Sequence, residues 1–146
     1  MECIDLFIKG WPYRNSMLPI DIQDITLLEK KISATLPRPY KYLLKTYGLL
    51  RTPNVLTKTC DLSVKIDLVK DFLSLEDVFS LTTLYAMTGM PSGYVVFASD
   101  SNGNMFCFLL SACQSNEEHV EVWLYNQKAS TVTKVAKSFN QWLLTL

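Results

Sequence analysis

Histidine is almost missing from this sequence, one residue in 146, glycine is held to 5, and neither sign of charge prevails, since 14 Lys and Arg face 14 Asp and Glu. Each scarcity excludes something. A lone His119 leaves one imidazole for any nucleophile and base pair, and it removes a histidine-rich metal centre. Balanced charge, with Lys30-Lys31 the only adjacent basic pair, argues against a dedicated nucleic-acid binder, because counterion release needs a clustered basic face. The uncharged run Phe79 to Ser99 is broken by Gly89, Pro91 and Gly93 and reads as a core segment with a turn, not a membrane span. No Gly-x-Ser-x-Gly elbow, phosphate-binding loop or dinucleotide fingerprint occurs.

What is present is a 49% hydrophobic, 12% aromatic chain. At this length folding buries roughly 68–70% of the surface of the unfolded chain, enough for a core without metals or disulfides. A single globular domain over residues 1–146 is expected. Met1-Glu2-Cys3-Ile4-Asp5 places two acids where a secretory signal needs a positive start, so a cytoplasmic location is expected. Cys3, Cys60, Cys107 and Cys113 are expected to be free, mostly buried thiols, and five residues between Cys107 and Cys113 do not fit a zinc knuckle.

Periodicity places the elements. Ile25, Leu28, Ile32 and Leu36, behind Asp21 and Asp24, predict an amphipathic helix ending near Leu36-Pro37. Pro37 to Pro39 start a second helix with Tyr40, Leu43, Leu44 and Tyr47 on one face and Gly48 as its stop. Residues 51–59 read as a loop, and Leu62, Val64, Ile66 and Leu68 alternate as a half-buried strand. Ser74 and Asp77 resemble a capping box before a helix with the stripe Val78, Leu81, Leu84, Tyr85, ended by Gly89. Tyr94 to Ala98 and Met105 to Leu110 flank a turn in which Asn102-Gly103 tolerate positive φ and Asp100 bonds main-chain amides. His119 to Tyr125 alternates as a further strand, and Val132, Val135, Phe139, Trp142, Leu143 and Leu146 predict a helix to the C-terminus. Together these give an α+β fold, a central mostly antiparallel sheet with N-terminal and C-terminal helices packed on one side of it.

The candidate chemistry is sparse. Asp100, Asn102 and Asn104 have the oxygen spacing that opens a calcium loop, but the glycine falls at Gly103 and Ser111 stands where the bidentate acid belongs, so the hairpin turn takes precedence. His119 as a general base competes with a solvated histidine in an acidic strand. Glu76-Asp77 suit a helix first turn, and Trp11 and Tyr13 suit packing as well as binding. Glu117, Glu118 and Glu121 form either a contact for a basic partner or a charged edge strand that resists aggregation. No catalytic residue, cofactor or metal is assigned.

The ordered segments Ile25-Thr26-Leu27-Leu28-Glu29, Leu36-Pro37 with Tyr40, Leu43-Leu44 and Tyr47-Gly48, Pro91-Ser92-Gly93 leading to Phe97-Ala98-Ser99-Asp100 and Gly103-Asn104, and Val135-Ala136-Lys137-Ser138-Phe139 resemble the SUKH superfamily over roughly residues 20 to 146. That superfamily joins fungal Smi/Knr-type cell-wall regulators to bacterial immunity proteins. The resemblance implies a non-catalytic protein that binds and neutralises a cognate bacterial toxin, often a nuclease, without contacting nucleic acid or membrane. The alternative it implies is a regulatory scaffold for an endogenous partner. Because nuclease toxins tend to be basic, Glu117, Glu118, His119 and Glu121, together with Asp100, are the expected partner-binding residues of a monomer.

Overall fold

The computed structural model describes residues 2–11, 17–50, 69–100, 102–110 and 120–145, with residues 69 and 70 described by their backbone alone. In chain order these form α1 (Glu2–Lys9), α2 (Ile22–Ile32), α3 (Arg38–Thr46), β1 (Val69–Phe72), α4 (Leu75–Met87), β2 (Tyr94–Asp100), β3 (Met105–Leu109), β4 (Val122–Asn126), β5 (Thr131–Ala136) and α5 (Phe139–Leu143). The strands lie in the order β1-β2-β3-β4-β5, and every adjacent pair is antiparallel. This is the expected α+β architecture. The alternating run at Leu62 to Leu68 and the loop at 51–59 lie outside the described residues.

Local chemistry sets the helix ends. Asp21 caps α2 by accepting from the Gln23 amide at 2.9 Å. The helix stops at Ile32, short of Leu36, because Ser33 turns left-handed at φ 55° and closes the last turn onto Glu29 and Lys30. Glu29 then holds the connection, its Oε2 accepting from the Leu36 amide at 2.8 Å and from Lys41 Nζ at 3.2 Å. Pro39 lies in the first turn of α3, and Gly48 follows that helix at φ 107°. Any side chain at Gly48 would run into the main chain of Leu18, so glycine is required there for space as well as for conformation. Ser74 caps α4, its Oγ accepting from the Asp77 amide at 3.2 Å.

The β2–β3 hairpin closes as read from the sequence. Asp100 Oδ1 accepts from the amides of Asn102 and Asn104, both at 2.8 Å, while Oδ2 accepts from Asn104 Nδ2 at 3.1 Å. A bulge between Val96 and Ala98 shifts the register by one residue.

The C-terminal helix is shorter than expected. Residues 131–136 are β5, and only Phe139–Leu143 are helical. The β-branched run Thr131-Val132-Thr133 with Val135 suits a pleated edge, and Asn126 Oδ1 accepts from Lys128 and Ala129 to make the turn that feeds it. Ser138 then restarts the chain as a helix, its Oγ accepting from the Gln141 amide. Val135 consequently faces outward, 41% exposed. Leu146 lies outside the described residues.

Register fixes the two sheet faces. Phe106 and Phe108, paired with Leu124 and Val122, share one face, while Met105, Cys107, Trp123 and Tyr125 share the other. On the first, Tyr40 of α3 and Phe139 and Trp142 of α5 meet Phe97, Phe106 and Phe108, with Phe97 and Phe108 stacked at 4.0 Å. On the second, Tyr85 of α4 meets Tyr125 at 5.7 Å. Helices therefore reach both faces instead of the single side expected, which is why Cys107 and Phe108, neighbours pointing in opposite directions, are both fully buried. α1, which no periodicity announced, buries Ile4 and Ile8 one turn apart and packs with α5.

Candidate partner-binding surface

The carboxylates singled out by sequence occupy different settings. Asp100 is only 3% exposed, and its oxygens are engaged in the hairpin turn. Glu121, partly buried just before β4, pairs with Lys134 Nζ of β5 at 2.5 Å. Glu117, Glu118 and His119 lie outside the described residues, as do Tyr13, Cys60 and Cys113. Trp11 is half-buried and stacks on Phe7 at 5.2 Å. Asp100 and Glu121 are thus each tied into the fold by a local partner.

Among the described residues Cys3 and Cys107 are free thiols, Cys3 partly exposed and Cys107 buried. Burial pushes Cys107 up to about 12, so it stays protonated at neutral pH. Tyr94, whose ring meets Trp123 at 5.8 Å, is also raised, first by burial and then by the neighbouring Cys107 and Glu121. Among the described residues no group of three His, Cys, Asp or Glu side chains is placed to hold a metal, and no helix is long and apolar enough to cross a membrane.

The surface that stands out is helical. α4 carries Glu76 and Asp77 in its first turn and then no charge from Val78 to Met87, yet Val78 is its only fully buried residue. Leu84 is 51% and Met87 81% exposed. A helix this apolar is ordinarily covered on most sides. Beside it runs a groove of about 630 Å³ between α4, the end of α2 and the start of β2. Phe79, Ile32, Val95 and Leu110 line it with apolar surface, and Thr82, Thr83, Ser33 and Ser92 supply hydroxyls. Lys31 Nζ sits 5.5 Å above the Phe79 ring at one wall. The stripe Val78, Leu81, Leu84, Tyr85 located this helix in the sequence, but it did not reveal that Leu84 looks outward.

A second cluster fastens the N-terminus. Asp5 Oδ1 accepts from the hydroxyls of Tyr42 at 2.8 Å and Tyr47 at 2.5 Å. Those bonds hold the Asp5 carboxyl below its ordinary value, Tyr47 first and Tyr42 second, and they push Tyr47 up to about 12.

A five-stranded antiparallel sheet backed by helices, with an uncharged helical face turned to solvent, places the protein in the class of α+β domains. Residues 19–145 match the SMI1/KNR4 family (SUKH-1), and the chain belongs to that family. The match spans every element from α2 to α5 and leaves α1 outside it. No curated protein matches the sequence.

Proposed function

We propose that this protein is a non-catalytic immunity protein, acting as a monomer in the cytoplasm, which binds a cognate bacterial toxin and neutralises it by covering its working surface. Membership of the SMI1/KNR4 family supports a role exercised through a protein partner. The observation that carries the reading is the uncharged, outward face of α4, with Leu84 and Met87 beside a groove, because a rigid scaffold presenting apolar anchors is what tight occlusion requires. The acidic run Glu117, Glu118 and Glu121, with His119, supplies the electrostatic part of the contact to a basic nuclease, while Asp100, in the turn at the opposite end of β3 from Glu121, enters only by holding that turn in shape.

The test is a pull-down of the tagged chain from its native cells followed by a protection assay. Recovery of the C-terminal piece of a large secreted or contact-delivered protein at near-equal stoichiometry, and rescue of cells expressing that piece, is the expected result. Recovery of an endogenous synthase or signalling protein instead would replace this reading with the regulatory scaffold. That second reading is favoured by one observation, the ion pair between Glu121 and Lys134 in a chain of zero net charge, which weakens any electrostatic signature aimed at a basic partner.

A further inference from the structure

β1 covers only part of its neighbour. Its last paired residue is Phe72, opposite Ala98, and Leu73 adds one bond to the Phe97 carbonyl at 3.0 Å. Toward its beginning β2 has no strand beside it on that edge among the described residues. The hydrogen-bond pattern shows which groups are left. Leu110 donates to the Gly93 carbonyl at 2.8 Å, and Tyr94 stands opposite Leu109 and Val95 opposite Phe108. In an antiparallel ladder bonded and non-bonded pairs alternate, so Val95 exchanges bonds with β3 while Tyr94 and Val96 turn their main-chain groups outward. Leu109 agrees, since its amide donates the other way, to Glu121. Val96 N–H is met by Thr82 Oγ1 at 3.1 Å. Tyr94 N–H and C=O therefore open onto the groove.

That edge runs between two walls, Phe79 and Ala86 of α4 on one side and Ile32 at the end of α2 on the other. Among the described residues Lys31 is the one charged side chain lining the groove, Lys30 is exposed next to it, and no acid lines it. We infer that the groove binds an extended segment of the partner protein which adds as a short strand to β2 at Tyr94, with apolar side chains entering between α2 and α4 and an Asp or Glu meeting Lys31. Main-chain bonds to an open edge supply the affinity of such strand addition, and pockets for alternate side chains supply its specificity. The Phe79 ring beneath Lys31 keeps the ammonium at the mouth of the groove, where a carboxylate complements it. This inference rests on the binding role proposed above and names the chemistry of the segment bound.

The experiment uses the full chain as bait for a random short-peptide library displayed on phage, and the enriched sequences are then made as free peptides. They are expected to alternate apolar residues with at least one Asp or Glu, and to perturb the Tyr94 and Val95 amide resonances of the ¹⁵N-labelled chain. Lys31→Glu, and methylation of the peptide nitrogens, are each expected to weaken binding by about tenfold. Peptides rich in Lys or Arg, binding unchanged by Lys31→Glu, resonance changes confined to other faces, or no enrichment at all would overturn the inference. Toxin protection is scored separately. A chain that protects cells while its groove selects no peptide keeps the immunity reading and loses this one, whereas a groove that selects acidic peptides in a chain that binds no toxin does the reverse.

Discussion

The hydroxyl of Tyr47 donates to the carboxylate of Asp5 at 2.5 Å, joining two residues 42 positions apart and tying α1 to the end of α3. Tyr42 donates to the same oxygen, so one acid orders two rings that themselves meet edge to face. Replacing Asp5 with Asn weakens both bonds. The expected outcome is a lower melting temperature and faster amide hydrogen exchange at Ile4 and Ile8, with the exchange of β3 unchanged at moderate temperature.

The same cluster predicts two pH limits. The Asp5 carboxyl is depressed in the folded protein, so its contribution is present above the unfolded value of 3.8 and fades as pH falls through the lower folded value. Tyr47 is raised, so its contribution is complete below 10.0 and is lost as pH climbs toward about 12. Denaturant midpoints measured from pH 2 to 11 on wild type and Tyr47→Phe check this. Loss above pH 10 should be shallower in the variant; equal slopes would remove Tyr47 as the cause.

Tyr40 is the opposite case, a hydroxyl buried among Phe97, Phe108 and Phe139 with no hydrogen-bond partner among the described residues. Burial alone raises its pKa. Tyr40→Phe keeps the ring contacts and removes the orphan group, so stability should hold or rise by about 1 kcal/mol. Tyr40→Ala should cost about 3–5 kcal/mol through the cavity it leaves. Urea unfolding of both variants measures the difference.

At Gly48 the left-handed φ and the carbonyl of Leu18 act together. Gly48→Ala should destabilise by more than the roughly 1–2 kcal/mol of the backbone conformation alone, and by chemical denaturation it should rank among the costliest single-methyl additions in the chain.

Asp100 separates a turn role from a contact role. Asp100→Ala strips the acceptors from the Asn102 and Asn104 amides and should cost about 2–4 kcal/mol, while Asp100→Asn retains one acceptor and costs less. Partner affinity, once a partner is in hand, should follow stability across the two variants. Lost affinity in a variant of wild-type stability would show that Asp100 touches the partner directly.

How much of this was legible depends on whether the deciding residues were neighbours. Asp21, Pro39 with Gly48, Ser74 with Asp77, and Asp100 with Asn102-Gly103 act within a few positions of one another, and the elements they bound appear where periodicity put them. Val132, Val135 and Phe139 satisfied a helical spacing by coincidence; the β-branched composition of 131–135 and the Ser138 cap decided otherwise. α1 is too short for its period to register, and two buried isoleucines hold it. The groove was not legible at all, since Lys31, Phe79 and Tyr94 meet only through packing. One signal did lie in the open, the ten uncharged residues from Val78 to Met87, and it read as core because a single sequence does not say which side of an apolar helix is covered.

Strand order that follows chain order has a kinetic consequence. Because each strand pairs with the next one along the chain, β2–β3 and β4–β5 can form as local hairpins, while β1 reaches β2 only across the connection that holds α4. The compact Asp100 turn offers the earliest of these closures. Refolding should therefore be faster than for a Greek-key sheet of equal size, and slowed more by Asp100→Ala than by substitutions in β5.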